Sequence, residues 1–445
     1  MSVGGVLVFD GGPGLRHERI LARMENRLHL LPRYRQRLET PAPGLMNPFW
    51  VDDHGFDLGW HVRRAALSAP GTDAQLAEFV GQEMSRRLDR SRPLWELTVV
   101  EGLSHGRVAL VPKMHHSLVD GMAAIDIGIV LLDPTPEPIE LPPPESPWEP
   151  QRYDRARHLT QLSITRALVA GRRMLEHSRR ALSPDLAMRA LPEVVRATEL
   201  LAELARQRPM APMTPLNRGI GPNRRYALTH ARLADFKHVA KTAGGTVNDA
   251  ILAAVTGMLD RYFDATQFFP NARPVALVPV NVRKPGEEGG NRISMVFVDL
   301  PIEEPDVLER VRIVNRAMAK IKESAAVRAG AVLVGAGGWA PPLVSVMVAR
   351  AMSGVRAMNL IVSNVPGPQQ PFFLNGQRLR AVYPVVPLNP ASQGLSVGVL
   401  SYDGGVNFGL LADRDLDPPL PVAADALRAS LDELLEAGRG RAASA

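Results

Sequence analysis

The residues best suited to do chemistry in this chain are two adjacent histidines, His115 and His116, followed shortly by Asp120 and Gly121. An unperturbed imidazole titrates at about 6.5. It can therefore take a proton from a hydroxyl and return it within one turnover, as moving an acyl group onto an alcohol requires. Asp120 is suited to orienting the turn, and Gly121 permits backbone geometry that other residues resist. A strand over 106–114 leads into the pair and an apolar helix over 122–132 leads away, so the histidines sit in a tight turn between two rigid elements. Consecutive residues at a strand end point in opposite directions, and only one imidazole can face a substrate. A structural histidine pair is the competing reading; the Asp-Gly that follows favours a catalytic one.

Three further places carry polar groups in suggestive positions. Asn248 and Asp249 open a helix over 248–263 whose apolar face is Ile251, Leu252, Val255 and Leu259. Thr246 and Asp249 form a capping box, which accounts for Asp249 as a structural residue. Asn248 is an amide at a helix N-terminus, placed either to donate to an oxyanion or to serve the helix end. Ser363 and Asn364 end the apolar run 360–362 before a Val-Pro-Gly-Pro turn, where they either line a substrate tunnel or serve the turn. Trp95 reads as a packing residue. There is no Gly-x-Ser-x-Gly elbow, no His-Glu-x-x-His motif and no Walker-type loop, so serine hydrolase, zinc hydrolase and nucleotide hydrolase chemistry lose support and no metal is expected.

The elements that must hold these residues are those of a mixed α/β protein. A chain of 445 residues exceeds one compact core, and 45% hydrophobic with 22% charged residues is an ordinary globular composition. The absence of cysteine excludes disulfides, thiolate metal sites and cysteine nucleophiles, and fits the cytosol. The net charge of +6 suits nucleic acid, anionic lipid or a polyphosphorylated substrate alike. No basic segment precedes the short apolar opening through Val6, Val8 and Phe9, which reads as a strand and not a signal peptide. A helix over 16–38 buries Ile20, Leu21, Met24 and Leu28 and turns its arginines to solvent; 74–88 is a second amphipathic helix. Strands are expected at 97–100, 106–114, 224–228, 275–282, 293–300 and 395–400. Proline and glutamate dominate 134–150, which reads as a stiff linker, and 153–207 as a helical crossover broken at Pro184 and Pro192. The division is thus 1–133, 134–214 and 215–445. The uncharged stretch 329–349 is long enough to span a bilayer, but Gly337-Gly338 and Pro341-Pro342 break it, leaving a buried or interfacial segment.

His115-His116-Ser117-Leu118-Val119-Asp120-Gly121 resembles the signature of the coenzyme A-dependent acyltransferase superfamily, which includes chloramphenicol acetyltransferase. Pro93-Leu94-Trp95-Glu96, Thr246-Val247-Asn248-Asp249-Ala250, Ser363-Asn364-Val365-Pro366-Gly367-Pro368 and Ser401-Tyr402-Asp403-Gly404 narrow the likeness. In that order they resemble the bacterial wax ester synthase/diacylglycerol acyltransferase family over nearly the whole chain. The family pattern has a further segment ahead of Val3-Gly4-Gly5, which this sequence lacks.

The resemblance implies two chloramphenicol-acetyltransferase-like α/β domains with the active site in a tunnel at their junction. It implies His116 as general base, with Asp120 structural and held by an arginine from the other half, for which Arg283 is the candidate. It also implies acyl-CoA as a substrate with no separate cofactor, and diacylglycerol or a long-chain alcohol as acceptor. The setting would be cytoplasmic, peripheral to a membrane or lipid droplet, with no nucleic acid partner. The alternatives are an acyltransferase of polyketide or peptide assembly taking its acyl group from a carrier protein, and a non-catalytic lipid-surface protein.

Overall fold

The structure is a computed structural model and describes residues 2–40, 48–118, 130–142, 146–151, 210–281, 293–323, 356–389 and 393–442. Asp120, Gly121, Arg283, the crossover 153–207 and the stretch 329–349 lie outside these residues.

The chain opens with β1 (Ser2–Phe9), then α1 (His17–Arg27), a short hairpin of β2 (Gln36–Glu39) and β3 (Phe49–Asp52), α2 (Leu58–His61), β4 (Val62–Ala66) and α3 (Asp73–Ser85). β5 (Trp95–Glu101) and β6 (Val108–His115) complete this part. The second half begins with β7 (Arg224–Arg232), α4 (Leu233–Ala243), α5 (Val247–Asp264), β8 (Val275–Asn281), β9 (Ile293–Asp299) and α6 (Val307–Glu323). It ends with β10 (Leu360–Pro366), β11 (Phe373–Leu374), β12 (Gln377–Val385), β13 (Leu395–Tyr402), β14 (Gly405–Asp413) and α7 (Leu420–Ala442).

Two six-stranded mixed sheets result, in the orders β11-β12-β1-β6-β5-β4 and β7-β14-β13-β10-β8-β9. Helices α4 to α7 cover one face of the second sheet, where strand residues such as Val362, Val397 and Phe408 meet the apolar stripe of α5. The first sheet is buried on both faces, by α1 on one side and α3 on the other.

The helix expected over 16–38 stops at Arg27. Pro32 has no N–H to donate and its ring clashes with the carbonyl four residues back, so the chain leaves α-helical geometry at Leu31 (φ −123°, ψ 65°), makes a 3₁₀ turn over Pro32–Arg35 and enters β2. The solvent-facing arginine face is also corrected. Arg23 and Arg27 are only 8% and 5% exposed, because Asp133 lies between their guanidinium groups. They also donate to the carbonyls of Val130, Leu131 and Ile139, which pins the start of the proline-rich segment to α1.

Strands β11 and β12 cross the expected division at 133 and 215. β11 and β12 follow β10 of the second sheet, yet pair in the first, β12 running antiparallel to β1. The hairpin between them turns on Asn375-Gly376, with φ of 48° and 84°, as the tight turn between β13 and β14 does on Asp403-Gly404 at 45° and 79°. Positive φ at both central residues is what two-residue hairpin turns demand, so Asp403-Gly404 is turn chemistry.

Candidate active site

β6 is a central strand of the first sheet, held by β1 on one side and β5 on the other. Its last residue, His115, pairs with Ser2, and its N–H donates to Leu94 O at 2.9 Å. The chain then turns through a single 3₁₀ turn, His116–Leu118, which buried Leu118 anchors.

The two histidines have different surroundings. His115 Nδ1 accepts from the Ser117 backbone N–H at 3.2 Å and from the Ser117 hydroxyl at 2.7 Å. That bonding places the proton of the neutral ring on Nε2. Burial lowers the His115 pKa, and the positive charge of Arg90 adds to the effect. His115 thus braces the turn as a neutral acceptor, while His116, one residue on, is exposed.

Behind the turn lies a rigid aromatic wall. Trp95, opposite Met114 on β5, is fully buried and donates its indole N–H to Tyr34 O at 2.8 Å. His61 stacks on it at 4.6 Å and is hydrogen-bonded through Nδ1 to Trp95 O at 2.7 Å. Burial drives the His61 imidazole down to about 4, so it is neutral at physiological pH.

In the second half, Thr246 and Asp249 form the capping box of α5. Asp249 Oδ2 accepts from the Thr246 N–H, the Thr246 hydroxyl and Asn315 Nδ2, each at 2.8 Å. Asn364 Nδ2 donates to Asn248 Oδ1 at 3.1 Å, so these two candidate residues meet. Ser363 does not join them. Val362 and Leu360 face the helices, so by strand alternation Asn364 shares that side and Ser363 is on the opposite one.

Strand register links Ser363 to the His116 turn. Lys113 and Val385 both pair with Gly4 of β1, so the chain leaves β12 at the end of the sheet where β6 delivers the histidines. Beyond that end, Val386 O accepts from Ser396 Oγ at 2.7 Å, and a side chain at Gly398 would collide with Val386 Cγ2 at 2.8 Å. Gly398 is in turn the parallel neighbour of Ser363. The His116 turn and the Ser363 face of β10 therefore border the same junction between the sheets. No hydrogen bond joins His116 to Asn248, Ser363 or Asn364.

Two features of the setting escaped the sequence reading. Lys113, two residues before His115, is 2% exposed and donates to Glu83 O in the last turn of α3 at 2.8 Å and to Arg86 O just after the helix at 2.7 Å. A lysine at an inward position of an apolar strand was the available signal. The Arg23–Asp133–Arg27 cluster had a weaker one, arginines one helical turn apart on α1.

Residues 1–251 match the family described as wax ester synthase/diacylglycerol acyltransferase catalytic domain, and 289–435 match its C-terminal domain. A probable diacylglycerol O-acyltransferase of Mycobacterium tuberculosis is 32% identical over 421 residues, covering 94% of this chain and 87% of that protein. The solved wax ester synthase/diacylglycerol acyltransferase of Marinobacter aquaeolei VT8 superposes with a TM-score of 0.69 at 27% identity, over 98% of this chain and 95% of that one. The first condensation domain of the calcium-dependent antibiotic synthetase shares the fold, with a TM-score of 0.54 at 14% identity over 98% and 91% of the two chains.

Proposed function

The chain belongs to the wax ester synthase/diacylglycerol acyltransferase family, and from that premise we propose that it transfers a fatty acyl group from acyl-CoA to the hydroxyl of diacylglycerol, and to long-chain alcohols in the wax ester reaction. The observation that carries the reading is the division of labour in the histidine turn. His115 is consumed in bracing the turn, and His116 is exposed at the junction of the two sheets.

His116 takes the acceptor's hydroxyl proton as the oxygen attacks the thioester carbonyl. The tetrahedral oxyanion collapses, the carbon–sulfur bond breaks, and the imidazolium returns its proton to the departing thiolate. Protons balance within one turnover and no acyl-enzyme forms. Ser363, on the junction face of β10, is the second half's candidate for binding or orienting the carbonyl, while the Asn248–Asn364 pair on the opposite face ties the strand to the start of α5. Asp120 is proposed to pair with Arg283 across the junction. Both substrates carry long acyl chains, so the reaction belongs at a membrane or lipid-droplet surface, with the protein bound peripherally. Among the described residues, no helix is long and apolar enough to cross a membrane.

The test is to incubate purified protein with palmitoyl-CoA and dioleoylglycerol, hexadecanol or no acceptor, following free thiol and resolving the lipids by chromatography. Acceptor-dependent thiol release with matching triacylglycerol or wax ester is expected. A folded protein that releases no thiol with either acceptor contradicts the proposal.

A further inference from the structure

Away from the histidine turn, a cleft of about 840 Å³ opens where α3 of the first half meets β7 and the first turn of α7. That size is in the range of pockets that hold nucleotide-sized ligands. Five arginines line it: Arg86, Arg224, Arg225, Arg414 and Arg428. Three have carboxylate partners, Glu83, Asp413 and Asp425 respectively. Arg225 and Arg414 are exposed and have no carboxylate partner among the described residues. Of the acidic residues in the lining, Asp73 is engaged by Arg107 and Asp425 by Arg428, which leaves Glu78 against two uncommitted guanidinium groups. The first turn of α7 contains no acidic residue, so its positive dipole end is not offset locally. Ala74, Ala77 and Ala424 give the cleft part of its apolar lining.

The rim of the cleft is hydrogen-bonded to the strand that carries the histidines. At its rim, Arg86 offers its carbonyl to Lys113, and His115 follows Lys113 on the same face of β6. From Lys113 to His115 the strand advances about 7 Å, and His116 follows in the turn. A ligand whose anionic end lay in the cleft would need an extended arm to bring its reactive end to the turn.

We propose that this cleft binds the phosphate-bearing end of the acyl donor, with Arg225 and Arg414 as its phosphate ligands. The proposal rests on the acyl-CoA reading and locates the donor's polar end on this chain. Guanidinium groups bind phosphate oxygens through charge-assisted, often paired hydrogen bonds, which suits two uncommitted arginines facing one cleft.

The experiment is calorimetric titration of the full chain and of Arg225→Ala/Arg414→Ala with free coenzyme A, with pantetheine and with inorganic phosphate, plus flotation with phosphatidylglycerol vesicles. Because binding is read without turnover, it reports even if the chain transfers no acyl group. Coenzyme A affinity should fall about tenfold or more in the variant, with pantetheine affinity unchanged. In turnover, KM for palmitoyl-CoA should rise with kcat retained, while the phosphate-free palmitoyl N-acetylcysteamine thioester is unaffected. Unchanged coenzyme A affinity in a variant of wild-type thermal midpoint overturns the proposal. So does an equal loss with both thioesters. Loss of vesicle binding alone would assign the arginines to a lipid headgroup and overturn the donor assignment.

Discussion

His115 and His116 show how little sequence distance separates a hydrogen-bonded group from an exposed one. The first is an acceptor closed into its own turn, and the second is left exposed. His61 is a third histidine with a third role, sealed at 0% exposure against Trp95. Its imidazole is held down to about 4 by burial, while in the unfolded chain it protonates at about 6.5. The unfolded state therefore binds the extra proton. The contribution to stability is complete above about 6.5 and is lost as pH falls towards 4, amounting to about 3 kcal/mol. His61→Gln should thus lose less thermal stability between pH 7.5 and pH 4.5 than the wild type does. Parallel melting curves for the two proteins would contradict this account of His61.

The elements show what could be read from residues and what could not. Most strands and the helix capped by Thr246 follow from local alternation and capping. Replacing Asp249 with Ala should cost about 1–2 kcal/mol, since it removes the capping carboxylate and strands Asn315 Nδ2; chemical denaturation would measure it. The stop of α1 was legible in Pro32. Burial of its arginines was not, because their partner Asp133 lies 106 residues from Arg27 and no periodicity reports a distant charge. Removing that partner by Asp133→Ala leaves two buried guanidinium groups uncompensated, and a loss of about 3–5 kcal/mol is expected. A urea midpoint within error of the wild type would show that the cluster is hydrated. Alternation also marks β12 as a strand without saying which sheet receives it. That depends on Val385 and Tyr383 fitting beside β1, a three-dimensional match.

Across the whole molecule, the return of β12 to the first sheet locks the two halves together at the end where β6 delivers the histidines. The placement of the histidine turn was legible in the sequence through a signature. Which second-half residues share its side was not, since Asn248 and Asn364 meet on one face of β10 and Ser363 is on the other. If Asp120 and Arg283 pair across this junction, a double-mutant cycle on stability will return a coupling energy of about 1 kcal/mol or more, and additive losses will remove the pairing. The most direct test of the central claim is acceptor-dependent thiol release from palmitoyl-CoA by wild type and His116→Ala, both verified as folded. Loss of the general base should slow turnover by about a hundred- to ten-thousand-fold; turnover at the wild-type rate would show that another group removes the proton.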